Sequence, residues 1–227
     1  MSDLLDKIKS RGFWRFLIRP SEYDAERLPY EQLASIIQRV AVSLRGWDLP
    51  HRDTRTGPQM GADWVGQETE WQHHVDAWRL HRSGQLVIFR SLAHDWRDQS
   101  SVHPPGNGWQ PGQFLSVGDA VFTFTEVFEL AARMSGVLPG SDAMVVKIDC
   151  QGIEKRVLHV DDPRRAPLFF DYAATIPSFE QEWELDRAVL MATARDLAVV
   201  GARELFLRFG WHADIEVLRG NQAELAG

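Results

Sequence analysis

Cysteine is almost absent from this 227-residue chain. Cys150 stands alone, so no intramolecular disulfide can form, and a reducing, cytoplasmic setting is expected. Long apolar runs are missing too. The longest, Leu197 to Ala202, covers six residues, against about 20 for a membrane-spanning helix. The N-terminal MSDLLDKIKSRGFWRFLIRP scatters charges among its apolar residues and has no signal-peptide core, so an unexported chain without membrane contact is expected. Lysine is scarce: 21 of the 25 basic residues are arginine. Basic charge is outweighed overall, with 32 acidic residues and a net charge of −7, which argues against non-specific nucleic-acid binding through released counterions. C-x-x-C, H-E-x-x-H, P-loop, G-x-S-x-G and dinucleotide fingerprints are all lacking. No cofactor and no metal are therefore expected.

What is present is the composition of a folded protein, 44% hydrophobic and 25% charged. Nine tryptophans are the unusual feature, and they imply either a heavily aromatic core or an aromatic binding surface. Phe13–Ile18 reads as a short strand. Leu33, Ile36, Ile37 and Val40 keep helical spacing within residues 29–40, with Pro29 suited to the first turn. Val40, Val42 and Leu44 alternate as a strand would, and residues 49–67 read as a loop. Ser83-Gly84 predicts a two-residue hairpin with Trp78 opposite Phe89 and Leu80 opposite Val87. Arg79, His81, Leu86, Ile88 and Arg90 then take the other face, and a slip of one residue would exchange the two.

Ser116-Val-Gly-Asp119 fits a capping box that opens a helix to about Met134. That helix is apolar over most of its girth, with Asp119, Thr123, Glu126, Glu129 and Arg133 together on one polar arc. Gln151-Gly152 predicts a second hairpin, with Met144, Val146, Ile148 and Cys150 on one face and His159 opposite Met144. A last strand is placed near Trp183 and Leu185. Thr193-Ala194-Arg195-Asp196 reads as the start of a helix that Gly210 ends, and Ile215, Leu218 and Leu225 as a short final helix. No repeat or linker divides the chain. The expectation is one α+β domain over residues 1–227, a mostly antiparallel sheet with hairpins packed against two or three helices.

The densest polar stretch is ETEWQHHVD at 68–76, followed by His81 and by HDWRD at 94–98. As a strand it would put Glu68, Glu70, His74 and Asp76 on one face; as a helix it would make Glu70 and His73 neighbours. Glu70, His73, His74 and Asp76 are thus candidates for a metal-assisted hydrolase or nuclease, whose imidazole and carboxylate groups must converge on one point. A solvated strand edge accounts for the same charges. Cys150, at the end of an apolar face, reads as a buried thiol, and DDPRR at 161–165 as a solvated turn. The long stretch from Leu92 to Leu115 is rich in proline and glycine, and structureless loops of that length are commonly functional. It supplies Trp96, Arg97 and Trp109 as candidate ligand- or partner-binding residues, with aromatic platforms for sugars or nucleotides as another use.

AWRLHRSGQLVIFRSLAHDW and the following GDAVFTFTEVFELAAR resemble an uncharacterised bacterial module found in chains that also carry an Alba-like, Schlafen-type DNA-binding domain. The resemblance covers about residues 77–135 and rests on structural motifs, and no basic N-terminal domain is expected beside it here. It implies an accessory or sensor role beside a defence or regulatory effector. With no catalytic signature in the sequence, the leading expectation is a non-enzymatic sensor or protein-interaction module. Loops 49–67 and 92–115 would be its recognition face, and its protein partner is unidentified.

Overall fold

The computed structural model describes residues 3–97, 109–162 and 164–226. The chain begins with α1 (Asp3–Lys9), β1 (Phe13–Pro20), α2 (Leu33–Val40), β2 (Gln59–Met60), β3 (Trp64–Trp71), β4 (His74–His81) and β5 (Leu86–Ser91). It continues through β6 (Phe114–Ser116), α3 (Val117–Val137), β7 (Ala143–Gln151) and β8 (Val157–His159). It closes with β9 (Ser178–Asp186), α4 (Arg187–Leu207) and α5 (Ile215–Ala223). Seven strands form an antiparallel sheet in the order β2-β3-β4-β5-β1-β7-β9, while β6 pairs in parallel with β8. The fold class is the expected α+β. Among the described residues no helix is long and apolar enough to cross a membrane.

Strict alternation in β1 turns Trp14, Phe16 and Ile18 toward the helices, where all three are buried. α3 lies over this central strand. Its predicted cap is present, the Ser116 hydroxyl accepting from the Asp119 N–H at 3.0 Å. Phe124 of α3 meets Trp14 edge-on at 6.0 Å and Phe179 of β9 at 6.2 Å. α4 packs beside α3 and β9, α2 covers β3 and β4, and α1 seals the opposite face with Ile8 against Val75 and Ala77. Gly201 lets α4 approach closely, since a Cβ there would sit 2.9 Å from the Phe124 ring and 3.2 Å from Trp183. Gly201→Ala is expected to destabilise the protein by roughly 1–3 kcal/mol through overpacking. An unchanged urea midpoint would show that the helices do not meet this tightly.

Four local expectations are corrected. The β4–β5 hairpin pairs Trp78 with Ile88 and Leu80 with Leu86, one residue away from the predicted register. Its loop has three residues rather than two: the His81 N–H donates to the Gln85 carbonyl and Gly84 takes φ +82°, the left-handed position that ends such loops. Gln151-Gly152 makes no hairpin. β7 is flanked by β1 and by the nine-residue β9, and short β8 leaves the sheet to join β6, pairing His159 with Ser116 rather than Met144. Val40–Leu44 forms no strand beyond a bridge from Val42 to Leu49. Thr193 is non-helical (φ −129°, ψ 20°), but α4 has already begun at Arg187 under an Asp186 cap and the Thr193 hydroxyl donates back to the Val189 carbonyl, so the motif marks a kink and not a helix start.

The remaining expectations concern the loops. Within the predicted loop 49–67, residues 59–60 form β2 and residues 64–67 belong to β3, and the rest is fastened to the sheet. Trp78 Nε1 donates to the His51 carbonyl at 2.6 Å, and buried Gln67 bonds Asp53, Thr56 and Gly57. Asp98, the prolines at 104 and 105 and the first three residues of GNGWQPG lie outside the described residues.

Candidate functional site

Where β3 turns into β4, a cavity of about 300 Å³ opens between that turn, the first turns of α3, the loop around Arg45–Trp47 and residues 91–97. Its chemistry comes from three separate patterns. On β4 and β5 the observed register sets Asp76 directly opposite Arg90. On α3, Asp119, Thr123 and Glu126 follow the i, i+4, i+7 spacing of one helical stripe. The loop after α2 adds Arg45 and Trp47.

These groups form one buried ion network. Glu126, fully buried, accepts from Arg45 at 3.0 and 2.8 Å and from Arg90 at 3.0 Å. Arg45 also bonds Asp119, and Thr123 at 3.2 Å. Arg90 continues to Asp76 at 3.3 Å and to the Asp48 carbonyl at 3.1 Å. The second Asp76 oxygen accepts from the Trp47 indole N–H. Burial alone would push the Asp119 carboxyl up, but the charge and hydrogen bond of Arg45 together with His94 outweigh it and the net shift is downward. Burial would likewise lower the Arg45 guanidinium, and Glu126 and Asp119 reverse that too, holding it firmly charged.

Aromatic rings make the other wall. Trp47 stacks on His51 at 3.5 Å and on His74 at 4.2 Å, and lies nearly parallel to Trp71 at 5.9 Å. Burial, then the neighbouring His73 and Arg90, bring His74 down to about 3, so it is a neutral ring at physiological pH. Trp71 is 45% exposed and forms the lip of the cavity.

The structure separates the residues singled out from sequence. His73, His74 and Asp76 reach the cavity. Glu70 does not: the β3–β4 register opposes Trp71 to His74 and Glu70 to Val75, so Glu70 lies on the other face of the sheet, where it pairs with Lys7 of α1. The 68–76 stretch is therefore neither one strand nor a helix but the end of β3, a turn and the start of β4, which corrects the shared face expected for Glu68, Glu70, His74 and Asp76. Asp76 is in turn occupied by Arg90 and Trp47. Among the described residues, no set of three or more His, Cys, Asp and Glu side chains is arranged to hold a metal ion.

Arg97 lines the cavity, but the two tryptophans paired with it in sequence point elsewhere. Trp96 packs with the α1 cluster beneath Lys7 and Arg11, the latter 4.2 Å from its ring. Trp109 packs on Phe114 at 4.9 Å and bonds the His94 carbonyl at 3.2 Å. Cys150 is fully buried, and burial raises its thiol well above the usual value, as its apolar face implied. In DDPRR, Arg164 and Arg165 pair with Asp162 and Glu224 on the surface. Sequence reading missed Arg45, Trp47 and the pairing of Arg90 with Asp76.

A serine, an aspartate and a histidine also meet beside the cavity, but in the wrong order for nucleophilic catalysis. Asp161 lies between the other two, accepting from Ser116 at 2.7 Å and facing His94 at 3.3 Å, and Ser116 already caps α3. Burial opposes ionisation of Asp161, yet His94 facing it and the Ser116 hydrogen bond take it from 3.8 down to about 2. A depressed carboxylate stabilises the fold above its unfolded value and loses that contribution as pH falls through the folded one. Between pH 4 and 2 the wild type is expected to lose stability more steeply than Asp161→Asn; parallel acid-denaturation curves would contradict this.

No protein-family model matches the chain, and comparison with characterised proteins and with solved structures finds no match.

Proposed function

We propose that the chain is a non-enzymatic sensor module whose working surface is the cavity between the β3–β4 turn and the start of α3, and that its ligand is small. The observation that carries this reading is the combination of a cavity of about 300 Å³ with walls already locked by the Glu126 network and a tryptophan exposed at its lip. Such a size is at the lower end of small-molecule sites, which usually have preformed walls. The deep carboxylates are held by arginines, which suits fixed recognition better than proton transfer. Catalysis would need an acid or base left poised. The resemblance of residues 77–135 to the bacterial module named above extends the proposal: ligand occupancy would be passed to a regulatory or defence effector, the unidentified protein partner.

A panel of small polar metabolites followed by tryptophan fluorescence and thermal shift tests it. A ligand present at about one hundred times its Kd should add about 2.7 kcal/mol of stability. Trp71→Ala should weaken that ligand's binding. Equal binding by this variant, or turnover of the bound ligand, would overturn the proposal.

A further inference from the structure

We infer that the cavity takes an oxyanion carried on a planar ring, with Arg97 holding the oxyanion and Trp71 lying against the ring. This rests on the sensor reading and specifies its ligand.

The hydrogen-bonding capacity of the cavity walls is largely spent within the protein. Asp76 is met by Arg90 and Trp47, Glu126 by Arg45 and Arg90, and Asp119 by Arg45. Arg45 and Arg90 are turned inward onto these carboxylates. Arg97 faces the same cavity, enters none of the ion pairs among the described residues, and has a buried Nε with no hydrogen-bond partner there. The protein itself closes off that Nε, so the partly exposed remainder of the guanidinium is what Arg97 offers the cavity, and the fork of an arginine fits a carboxylate or phosphate through two parallel bonds. A neutral ligand would leave that cation without a counter-charge.

The surroundings agree. His74, kept neutral chiefly by burial, adds an uncharged flat ring to the cavity wall. At the lip, Trp71 presents the exposed aromatic surface, whereas Trp47 is already stacked on His51 and His74. A flat ring therefore has one open partner at the mouth, and its anionic substituent points inward to Arg97.

Calorimetric titration of the full chain with adenosine monophosphate, benzoate, adenosine and inorganic phosphate tests this, the first two separating a phosphate source from a carboxylate source. Adenosine monophosphate or benzoate should bind at least tenfold more tightly than both adenosine and inorganic phosphate. Arg97→Gln should lose at least tenfold in affinity at an unchanged melting temperature, and Arg97→Lys should retain part of the binding. Adenosine matching its monophosphate, or full affinity in Arg97→Gln, overturns the anion assignment. Inorganic phosphate matching the better of the two ring compounds overturns the ring contact. Absence of binding by all four probes overturns the inference as a whole. A neutral metabolite that binds and is lost on Trp71→Ala overturns the inference while leaving the sensor reading intact.

Discussion

Glu126→Ala is expected to destabilise the protein by about 3–5 kcal/mol, the range for removing one member of a buried charge group. In a chain of this size that corresponds to a fall in melting temperature of roughly 6–20 °C. The carboxylate is fully buried and bonds two arginines from different parts of the chain, Arg45 from the loop after α2 and Arg90 from β5. Its loss leaves Arg45 with Asp119 and Arg90 with Asp76, each with part of its guanidinium facing a void. Glu126→Gln keeps a carbonyl acceptor in place but removes the charge, and should fall between wild type and Glu126→Ala. Urea midpoints for the three proteins give the order directly. A loss below about 1 kcal/mol in Glu126→Ala would place the site among solvated ion pairs and remove the argument that these walls are preformed. The same substitution tests function, because the network that stabilises the fold also shapes the cavity floor.

Much of this network was legible in separate parts. The polar arc Asp119–Thr123–Glu126 stood out on an otherwise apolar helix, and a central helix that keeps a charged stripe must aim it at solvent or at buried partners. What the sequence could not show was the partner. The predicted hairpin register opposes Arg90 to Ala77, whereas the three-residue loop shifts the pairing by one and brings Arg90 against Asp76. One residue of register therefore hides a buried ion pair, because every side chain changes face with it. Arg45 and Trp47 lie in a loop without periodicity, and only packing against α3 and β4 reveals their roles. The central strand β1, helix α3 and the strand around Trp183 were readable because each repeats its apolar residues at one period. Trp96 and Trp109 looked alike in sequence, yet they serve different packing clusters, which composition alone does not distinguish.

The second large effect is expected at Asp95, read from sequence as part of a polar run and found to be a buried junction. Asp95 and Arg156 are each 2% exposed and face one another through two hydrogen bonds. The same carboxylate accepts from the Gly112 N–H at 2.9 Å and the Gly12 N–H at 3.2 Å, while Arg156 donates to the carbonyls of Gly152 at 2.6 Å and Phe114 at 3.0 Å. Four chain segments thus meet on one pair, including both flanks of the connection from Asp95 to Gly112. Asp95→Ala leaves the Arg156 cation buried without its counter-charge and two backbone N–H groups without an acceptor, so its cost should lie toward the upper end of about 3–5 kcal/mol. Asp95→Ala combined with Arg156→Met should recover part of that loss, since an apolar side chain removes the stranded charge while the two N–H groups stay unmatched. Chemical denaturation of the two single variants and the double variant measures the coupling. Additive losses would mean that the pair is not a unit, and that the fold holds these segments together by some other contact.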